Sequence, residues 1–325
     1  MQSESTAPGA PKLLPYLACL FFIVTWAGWI VVSRHGAQTP LTPVDLVFVR
    51  FVTALVASSP LWFIYNWRKI PWYQVIMVAW GTGAVYLLFC FAAMSSAKAA
   101  SAGVLINGML PLFGAIISYL WGGQRTSRIT LLCIVAILVS DAMLIQGDLV
   151  LLASGRGALS VLLFTAASCT FSFYVVAVKK WGFNLMDIVV WVPIVNALTV
   201  IPLWLCTASG LGATPLPVIA SQAAFQGVLI TLIAGAIIAY AIRALGPMTT
   251  TMFMSFVPAV TAVFGTIFLG ERLNTLEIAG IALCTCALVV NSRWGTGSPK
   301  PLLDKRRGKS VSGRGSTPFA RKEKC

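Results

Sequence analysis

The chain alternates long apolar runs with short polar connections. A helix that crosses a bilayer needs about 20 apolar residues at a rise of about 1.5 Å each. Ten runs of this kind lie near residues 12–33, 43–66, 71–95, 98–121, 126–146, 156–178, 186–207, 220–243, 247–270 and 273–292. The alternating ten-residue strands typical of an outer-membrane barrel do not occur in the sequence. The pattern therefore predicts an all-α membrane protein with ten transmembrane helices, whose connections are too short for a soluble catalytic domain.

The composition also excludes an ordinary soluble domain. Hydrophobic residues make up 58 % of the 325 residues and charged residues only 10 %, whereas a soluble domain has about 25 % charged residues. Much of the net charge of +14 lies in a tail rich in Gly, Ser and Pro over residues 294–325, which predicts a disordered segment. A basic tail of this kind is typical of a cytoplasmic segment attracted to anionic lipid. We expect membrane lipids, and no nucleic acid, as its partners.

The other basic residues predict the topology. The loops on the side of the tail carry Arg68, Lys69, Arg125, Arg128, Lys179, Lys180 and Arg243. The opposite loops carry only Arg34, Lys98, Arg156 and Arg272. Because cytoplasmic loops are enriched in Lys and Arg, both termini, including the N-terminal tail of residues 1–11, are predicted to be cytoplasmic.

One long segment occurs twice in the chain. PLFGAIISYLWGGQR covers Pro111–Arg125 and PAVTAVFGTIFLGER covers Pro258–Arg272, with a constant offset of 258 − 111 = 147. Each copy begins with proline and ends with a glycine, a long polar residue and an arginine. The sequence therefore predicts two related five-helix repeats, residues 12–147 and 156–293.

The second helix of each half supports the repeat independently. Asp45 and Asp187 are 187 − 45 = 142 residues apart, and Pro-Leu-Trp at 60–62 recurs at 202–204 with the same offset. Because five is an odd number, the second repeat enters the membrane from the opposite face. Inverted-topology repeats are typical of secondary transporters, in which the two halves exchange conformations around a site at the membrane midplane.

The sequence lacks the motifs of an ATP-driven pump or of an enzyme. It contains no G-x-x-x-x-G-K-[ST] loop, no H-E-x-x-H and no nucleophile elbow. Its eight cysteines form no C-x-x-C pair and His35 is the one histidine, so we expect neither a metal site nor a cofactor. A transporter is favoured over an integral membrane enzyme and over a structural or receptor-like protein.

The duplicated prolines predict hinges. Pro111 and Pro258 are expected near the middle of helices four and nine, where a proline costs about 3 kcal/mol and frees the carbonyl four residues earlier. Those carbonyls belong to Asn107 and Met254. In a membrane they must find another partner or face a water-filled cavity. The prolines are either packing kinks relieved by neighbouring side chains or hinges that line a substrate cavity, and the duplication favours the hinges.

Two ionisable residues are predicted at membrane depth, Arg50 in helix two and Asp141 in helix five. An isolated charge is costly there, so we expect either a buried pair or hydrogen bonds to polar groups. Their role stays open between an anchor for the fold and a function in proton coupling or in binding a substrate carboxylate. Asp45 and Asp187 begin helices and are interpreted as caps.

Deeply placed aromatic residues predict a substrate pocket. The candidate pocket residues are Trp26, Tyr86, Asn107, Phe171, Tyr174, Phe253 and Met254. Each aromatic residue alone is more typical of a core or lipid-facing position. Together they predict a mostly apolar pocket with a few polar groups, which suits a planar, partly apolar metabolite or an organic cation.

These features resemble the EamA type of the drug/metabolite transporter superfamily. The matching elements are FVRF at 48–51, the paired prolines, and the G-[EQ]-R ends at 123–125 and 270–272. The resemblance covers roughly residues 14–293. Members usually carry glutamate where this chain has Gln124, a departure that removes a carboxylate from the end of helix four.

Within this superfamily the chain looks most like bacterial aromatic amino acid exporters of the cell inner membrane. The resemblance implies export of aromatic and other neutral amino acids, and also of quaternary ammonium compounds. It also implies a central cavity lined by helices one, three, four, six, eight and nine. A proton-coupled multidrug exporter of quaternary cations is the alternative within transport. The oligomeric state and any proton coupling stay open.

Overall fold

The computed structural model describes residues 13–67, 69–123, 126–147, 155–235, 237, 240–241, 244 and 253–295. These residues form helices and no strand. The α-helices are α1 Leu13–Ala37, α2 Pro43–Ser58, α3 Trp72–Thr82, α4 Ala84–Met94, α5 Ala99–Gly122, α6 Arg128–Gly147, α7 Arg156–Trp181, α8 Leu185–Leu205, α9 Leu216–Gln222, α10 Val257–Leu269 and α11 Thr275–Trp294. A 3₁₀ turn, Ser59–Phe63, extends α2, and a π-helix, Ala223–Ala234, extends α9.

Each of the ten predicted runs contains a described helix. Eight helical stretches are long and apolar enough to cross a membrane, with α3 and α4 counted as one stretch. The other two runs contain α6, with 20 residues, and α10, with 13. The all-α, multi-pass class is confirmed, while the number of ten spans and the side of the termini stay predictions. The predictions for residues 1–11, for the tail beyond residue 295, and for Arg68, Gln124, Arg125 and Arg243 concern residues outside the described part of the chain.

The second helices of the two halves run antiparallel. At one end of the pair, Trp204 Nε1 donates a hydrogen bond of 2.8 Å to Asp45 Oδ1. At the other end, Tyr65 Oη donates one of 2.7 Å to Asp187 Oδ1. The start of α2 therefore lies beside the end of α8, and the start of α8 beside the end of the run that α2 begins.

The fifth helices of the two halves, α6 and α11, also run antiparallel. Thr130 Oγ1 donates to the carbonyl of Gly295 at 3.1 Å, and Ser140 Oγ donates to the carbonyl of Gly280 at 2.6 Å. The residue numbers of the α11 contacts decrease as the residue numbers along α6 increase, which shows that the two helices are antiparallel.

The fourth helices, α5 and α10, show the same relation. A Cβ built at Gly103 would lie 3.1 Å from Thr261 Cβ, and one built at Gly265 would lie 3.5 Å from Ala99 Cβ. Three pairs of corresponding helices thus run in opposite directions. The two halves are therefore inverted copies, as the odd number of predicted helices requires.

Corresponding helices of the two halves have corresponding packing partners. Helix α1 packs on α10, and its counterpart α7 packs on α5. Helix α2 packs on the π-helix, and its counterpart α8 packs on α3. Because each half completes the packing of the other, the described helices form one bundle with a pseudo-twofold relation.

Asp45 and Asp187 act as helix caps, which confirms the prediction. Asp45 forms a capping box with Thr42 at the start of α2, and Asp187 forms one with Asn184 at the start of α8. Both carboxylates also make the contacts between the halves given above. The caps therefore fix the ends of their own helices and the register of the α2/α8 pair.

Interrupted helices occur at corresponding positions of the two halves. Helix three breaks at Gly83, and Asn196 fills the break by accepting from Ala84 N at 2.6 Å and donating to Ala79 O at 2.9 Å. A Cβ at Gly83 would lie 2.1 Å from Asn196 Nδ2, so this close approach requires glycine. In the corresponding stretch of the second half, α9 changes into the π-helix at Ala223. Irregular helices at corresponding positions of the two halves point to the binding region of inverted-repeat transporters.

The two prolines have different settings. Pro111 lies inside α5, which continues on both sides of it. Ser168 of α7 donates a hydrogen bond of 2.9 Å to the α5 carbonyl of Ile106, so a neighbouring helix satisfies part of the backbone near the proline. Pro258 lies in the first turn of α10. The expected position in the middle of helix nine is not observed, because α10 begins there and a proline in the first turn loses no helical hydrogen bond.

Candidate functional site

Four of the predicted pocket residues meet in one group of rings. Trp26 of α1 lies 6.0 Å from Phe171 of α7, and Phe171 lies 5.2 Å from Tyr86 of α4 and 5.4 Å from Tyr174, all between ring centroids. Trp29, one turn after Trp26, lies 5.4 Å from Trp26 and 6.1 Å from Tyr86. These are separations at which aromatic rings attract each other. We call these five residues the aromatic cluster; Trp29 was not predicted from the sequence.

The aromatic cluster lies near the middle of its helices. Trp26 is residue 14 of 25 in α1, and Phe171 is residue 16 of 26 in α7. Helices of this length have their centres near the bilayer midplane, the depth at which inverted-repeat transporters bind substrate. Trp26 and Phe171 are half-buried, whereas Tyr86 is 2 % exposed. The cluster therefore has an accessible edge and a buried back.

A guanidinium group lies against the buried side of the aromatic cluster. Arg50 is 8 % exposed, and its Cζ lies 5.9 Å from the ring centroid of Trp29 and 5.8 Å from that of Phe51. Arg50 Nη1 and Trp29 Nε1 both donate to Gln226 Oε1, at 3.4 and 3.3 Å. Within the described part of the chain, Arg50 Nε has no hydrogen-bond partner, whereas the Tyr86 hydroxyl lies beside the Cys90 thiol, one turn along α4. A cation held by ring faces and one long hydrogen bond can accept an anionic group.

Two glutamines that were not predicted from the sequence hold Arg50 through a chain of hydrogen bonds. Gln226 Nε2 donates to Gln222 Oε1 at 2.6 Å, and Gln222 Nε2 donates to the carbonyl of Val32 at 3.0 Å. Both glutamines are at most 1 % exposed. The sequence does contain a signal for them: the two amides lie one turn apart in an apolar run, and a buried amide requires hydrogen-bond partners.

The two predicted buried charges are both buried but do not meet. Arg50 has the polar partner described above. Asp141 of α6 is 2 % exposed, and neither of its carboxylate oxygens has a hydrogen-bond partner among the described residues. A Cβ built at Gly108 of α5 would lie 3.5 Å from Asp141 Oδ1 and 3.5 Å from Cys284 Sγ of α11. Asp141 therefore lies where α5, α6 and α11 meet.

The other three predicted pocket residues lie outside the aromatic cluster. Asn107 donates through Nδ2 to the carbonyl of Gly103 in its own helix, at 2.7 Å. Phe253 contacts Tyr16, with 6.1 Å between ring centroids. Tyr16 precedes the first cluster residue by ten positions, or about 15 Å along α1. Met254 is half-buried just before α10 begins.

Charged residues tie one end of the bundle together. Glu271, after α10, caps α5, because its two carboxylate oxygens accept from Ala99 N at 3.0 and 2.9 Å. Its Oε1 also lies 3.5 Å from Arg34 Nε at the end of α1. Arg34 Nη1 donates to the carbonyl of Met94 at the end of α4. We call these four residues the end clamp; it joins α1, α4, α5 and α10.

The two parts of α5 differ in their packing. Most residues between 99 and 108 are buried, and this part faces α10 near the end clamp. None of the described residues 109–122 is buried. The change occurs beside Pro111, so the more buried and the less buried parts of α5 meet at the predicted hinge.

The described residues offer no site for a metal ion. No group of three or more His, Cys, Asp or Glu side chains among them could hold one. The cysteines from Cys19 to Cys286 in the described residues form no disulfide bond. The expectation that the protein needs no metal or cofactor stays a prediction.

Comparisons with known proteins identify the fold and the family. The model of the EamA-like transporter family matches residues 13–146 and 158–293, one segment in each half. No curated protein sequence matches the chain. A solved crystal structure of a protein with 15 % sequence identity aligns over 86 % of this chain and 97 % of the other, with a TM-score of 0.57. At this identity the likeness concerns the fold alone.

Proposed function

The chain belongs to the EamA-like transporter family, and we propose that it exports aromatic and other neutral amino acids, or related metabolites, across the cell inner membrane. Membership of this family indicates that the protein is a membrane transporter of small molecules rather than an enzyme. The observation that carries the proposed substrate class is the aromatic cluster with Arg50 at its buried side.

The aromatic cluster and Arg50 match the two ends of an aromatic amino acid. Trp26 and Phe171 offer ring faces at the accessible edge, on which a flat apolar side chain can stack. Arg50 lies deeper, and its Nε–H, which has no partner among the described residues, can donate to a carboxylate. Hydrogen bonds to a charged group are worth about 1.5–3 kcal/mol. A sugar would bury several hydroxyl groups for which this mostly apolar pocket has few hydrogen-bond partners, and a polyanion would meet one cation in an apolar pocket.

The inverted halves supply the transport mechanism. Because the halves are copies in opposite orientation, each half can adopt the conformation that the other half has. This exchange of conformations exposes the site on the opposite side of the membrane. The end clamp closes one end, which the basic residues predict to be the outer end. Substrate enters beside the less buried part of α5 beyond Pro111 and leaves when the end clamp opens. Pro111 and the start of α10 at Pro258 are the proposed hinges.

Counterflow in proteoliposomes tests the substrate class. Vesicles that contain the purified protein are loaded with unlabelled tryptophan and diluted into labelled tryptophan without any ion gradient. We expect saturable uptake, strong competition by phenylalanine, and weak competition by tryptamine, which lacks the carboxylate. Equal competition by tryptophan and tryptamine would show that no carboxylate is recognised and would reject the amino-acid assignment.

Variants of the aromatic cluster test the site. Trp26→Ala and Phe171→Ala each remove a stacking surface, and we expect each to raise the KM for tryptophan about tenfold, which corresponds to about 1.4 kcal/mol. Trp72→Ala is the matched control, because Trp72 is 75 % exposed and lies at the start of α3. If this control raised KM as much as Trp26→Ala, the site would be wrongly placed.

A proton-coupled exporter of quaternary cations is the second candidate. Asp141 favours it, since an unpartnered carboxylate could compensate a cationic substrate. Ring faces also attract cations, but Arg50 beside the same rings repels them. Counterflow of methyl viologen that tryptophan does not inhibit would decide for this candidate.

A further inference from the structure

We propose that Asp141 is a proton-binding site controlled by the hinge in α5, and that it couples one proton to each transport cycle. The inference rests on the transport function proposed above. It assigns a role to a group that the aromatic cluster and the end clamp do not use.

Asp141 differs from the other buried carboxylates of the described residues. Asp45, Asp187 and Glu277 are at most 1 % exposed, and each closes a capping box with backbone N–H groups. Asp141 is 2 % exposed, and both of its oxygens lack a partner. An ionised carboxylate is far less stable than the neutral acid in such surroundings. In this conformation the group therefore binds a proton on one carboxylate oxygen.

The surroundings of Asp141 provide no countercharge. Gly108 faces it from α5, and the Cys284 thiol faces it from α11. Thr285, next to Cys284, also has a buried hydroxyl without a hydrogen-bond partner. Other titratable residues on these helices or beside their ends lie about two turns or more along them: Lys98, Tyr119, Arg128, Cys133, Glu277 and Arg293. Cys286 is exposed, which leaves the Cys284 thiol as the titratable group facing Asp141 among the described residues.

The contact between α5 and Asp141 depends on a glycine close to the hinge. A Cβ at Gly108 would lie 2.8 Å from Ile137 Cγ2, so α5 approaches α6 as closely as a glycine permits. Pro111 follows Gly108 by three residues. When α5 turns at Pro111, Gly108 leaves Asp141 and water reaches the carboxylate. The proton is then released to the side that is open, and it is bound again when the contact reforms.

The second half shows that packing alone does not require a carboxylate here. The repeat offset of 147 places Leu288 of α11 at the position equivalent to Asp141 (288 − 141 = 147), and Leu288 is also buried. The fold thus accommodates an apolar side chain of similar size at the twin position. A purely structural role would therefore not explain why residue 141 is an acid.

Asp141→Asn is the first test, because asparagine has the shape of the protonated acid. In proteoliposomes with the wild type, we expect a pH gradient of about one unit to shift the steady-state ratio of tryptophan across the membrane about tenfold, because one coupled proton balances a tenfold concentration ratio per pH unit. The variant should keep gradient-free counterflow and lose the effect of the gradient. Cys284→Ser is the control and should respond as the wild type does.

Asp141→Leu, which copies Leu288, is the second variant if the asparagine variant does not fold, and it should lose the effect of the gradient in the same way. A gradient effect that survives either substitution would overturn the proposal. A response of the wild type to a sodium gradient instead of a proton gradient would also overturn it.

Infrared spectroscopy of the purified protein tests the site without any substrate. We expect the band of a protonated carboxyl group in the wild type at neutral pH and its loss in Asp141→Asn. If the band is present but tryptophan counterflow is absent, the proposed substrate is wrong and the proton site stands. If counterflow is present and the two spectra agree, the proton site is wrong and the transport function stands.

Discussion

Replacing Glu271 by glutamine is expected to open the end clamp. Glu271 caps α5 through Ala99 N and pairs with Arg34, so one side chain connects three helices. Glutamine keeps an oxygen that can accept from the backbone N–H, but it has no charge for the arginine. The substitution therefore weakens the clamp without creating a cavity.

The size of the effect follows from the burial of the pair. The side chains of Arg34 and Glu271 are only 14 % and 10 % exposed, so water screens their interaction less than it screens a surface pair. A hydrogen bond to a charged group is worth about 1.5–3 kcal/mol. A loss of about 2 kcal/mol would raise the population of the open state about 30-fold.

Cysteine labelling measures that population. Thr261 is 0 % exposed and lies between α10 and α5, close to the end clamp. Thr261→Cys is introduced into a chain whose native cysteines are replaced by alanine, and a membrane-impermeant maleimide is added. Because labelling requires opening, its rate should rise about 30-fold with Glu271→Gln. Arg272→Gln is the matched control, since Arg272 is the neighbouring charged residue and is exposed. Equal labelling rates in the two variants would refute the clamp.

Three further substitutions test the packing described above. Asn196→Ala should lower the thermal midpoint in detergent, because each group left unsatisfied at the break between α3 and α4 costs about 1–3 kcal/mol. Gly108→Ala should slow counterflow and cost about 1–3 kcal/mol by overpacking, whereas Gly114→Ala, with open space around it, should do neither. Asp45→Asn should weaken hydrogen bonds to a charged acceptor worth about 1.5–3 kcal/mol, measurable as earlier unfolding in denaturant; unchanged unfolding would contradict its role between the halves.

The sequence was sufficient for the features that depend on local patterns. Each apolar run contains a described helix, because membrane helices satisfy their backbone internally and form long apolar segments. Asp45 and Asp187 were recognisable as caps, since a cap depends on residues three positions away. The offset between Pro111 and Pro258 revealed the repeat because both copies kept the same residues.

Features that depend on distant contacts were not predictable. The break at Gly83 requires Asn196, which is 112 residues away from Ala84, the residue it caps. The cap that Glu271 provides for α5 joins residues 172 apart. Pro258 was expected inside a helix because hydropathy does not show where the backbone interrupts an apolar run. Trp29 was missed because sequence alone does not tell which face of α1 meets Tyr86.

Equilibrium binding of labelled tryptophan to the purified protein tests most directly whether the aromatic cluster binds an aromatic amino acid. We predict saturable binding that phenylalanine displaces, that Trp26→Ala weakens about tenfold, and that Trp72→Ala leaves unchanged. The absence of saturable binding to the wild type, or equal affinity in both variants, would contradict the assignment.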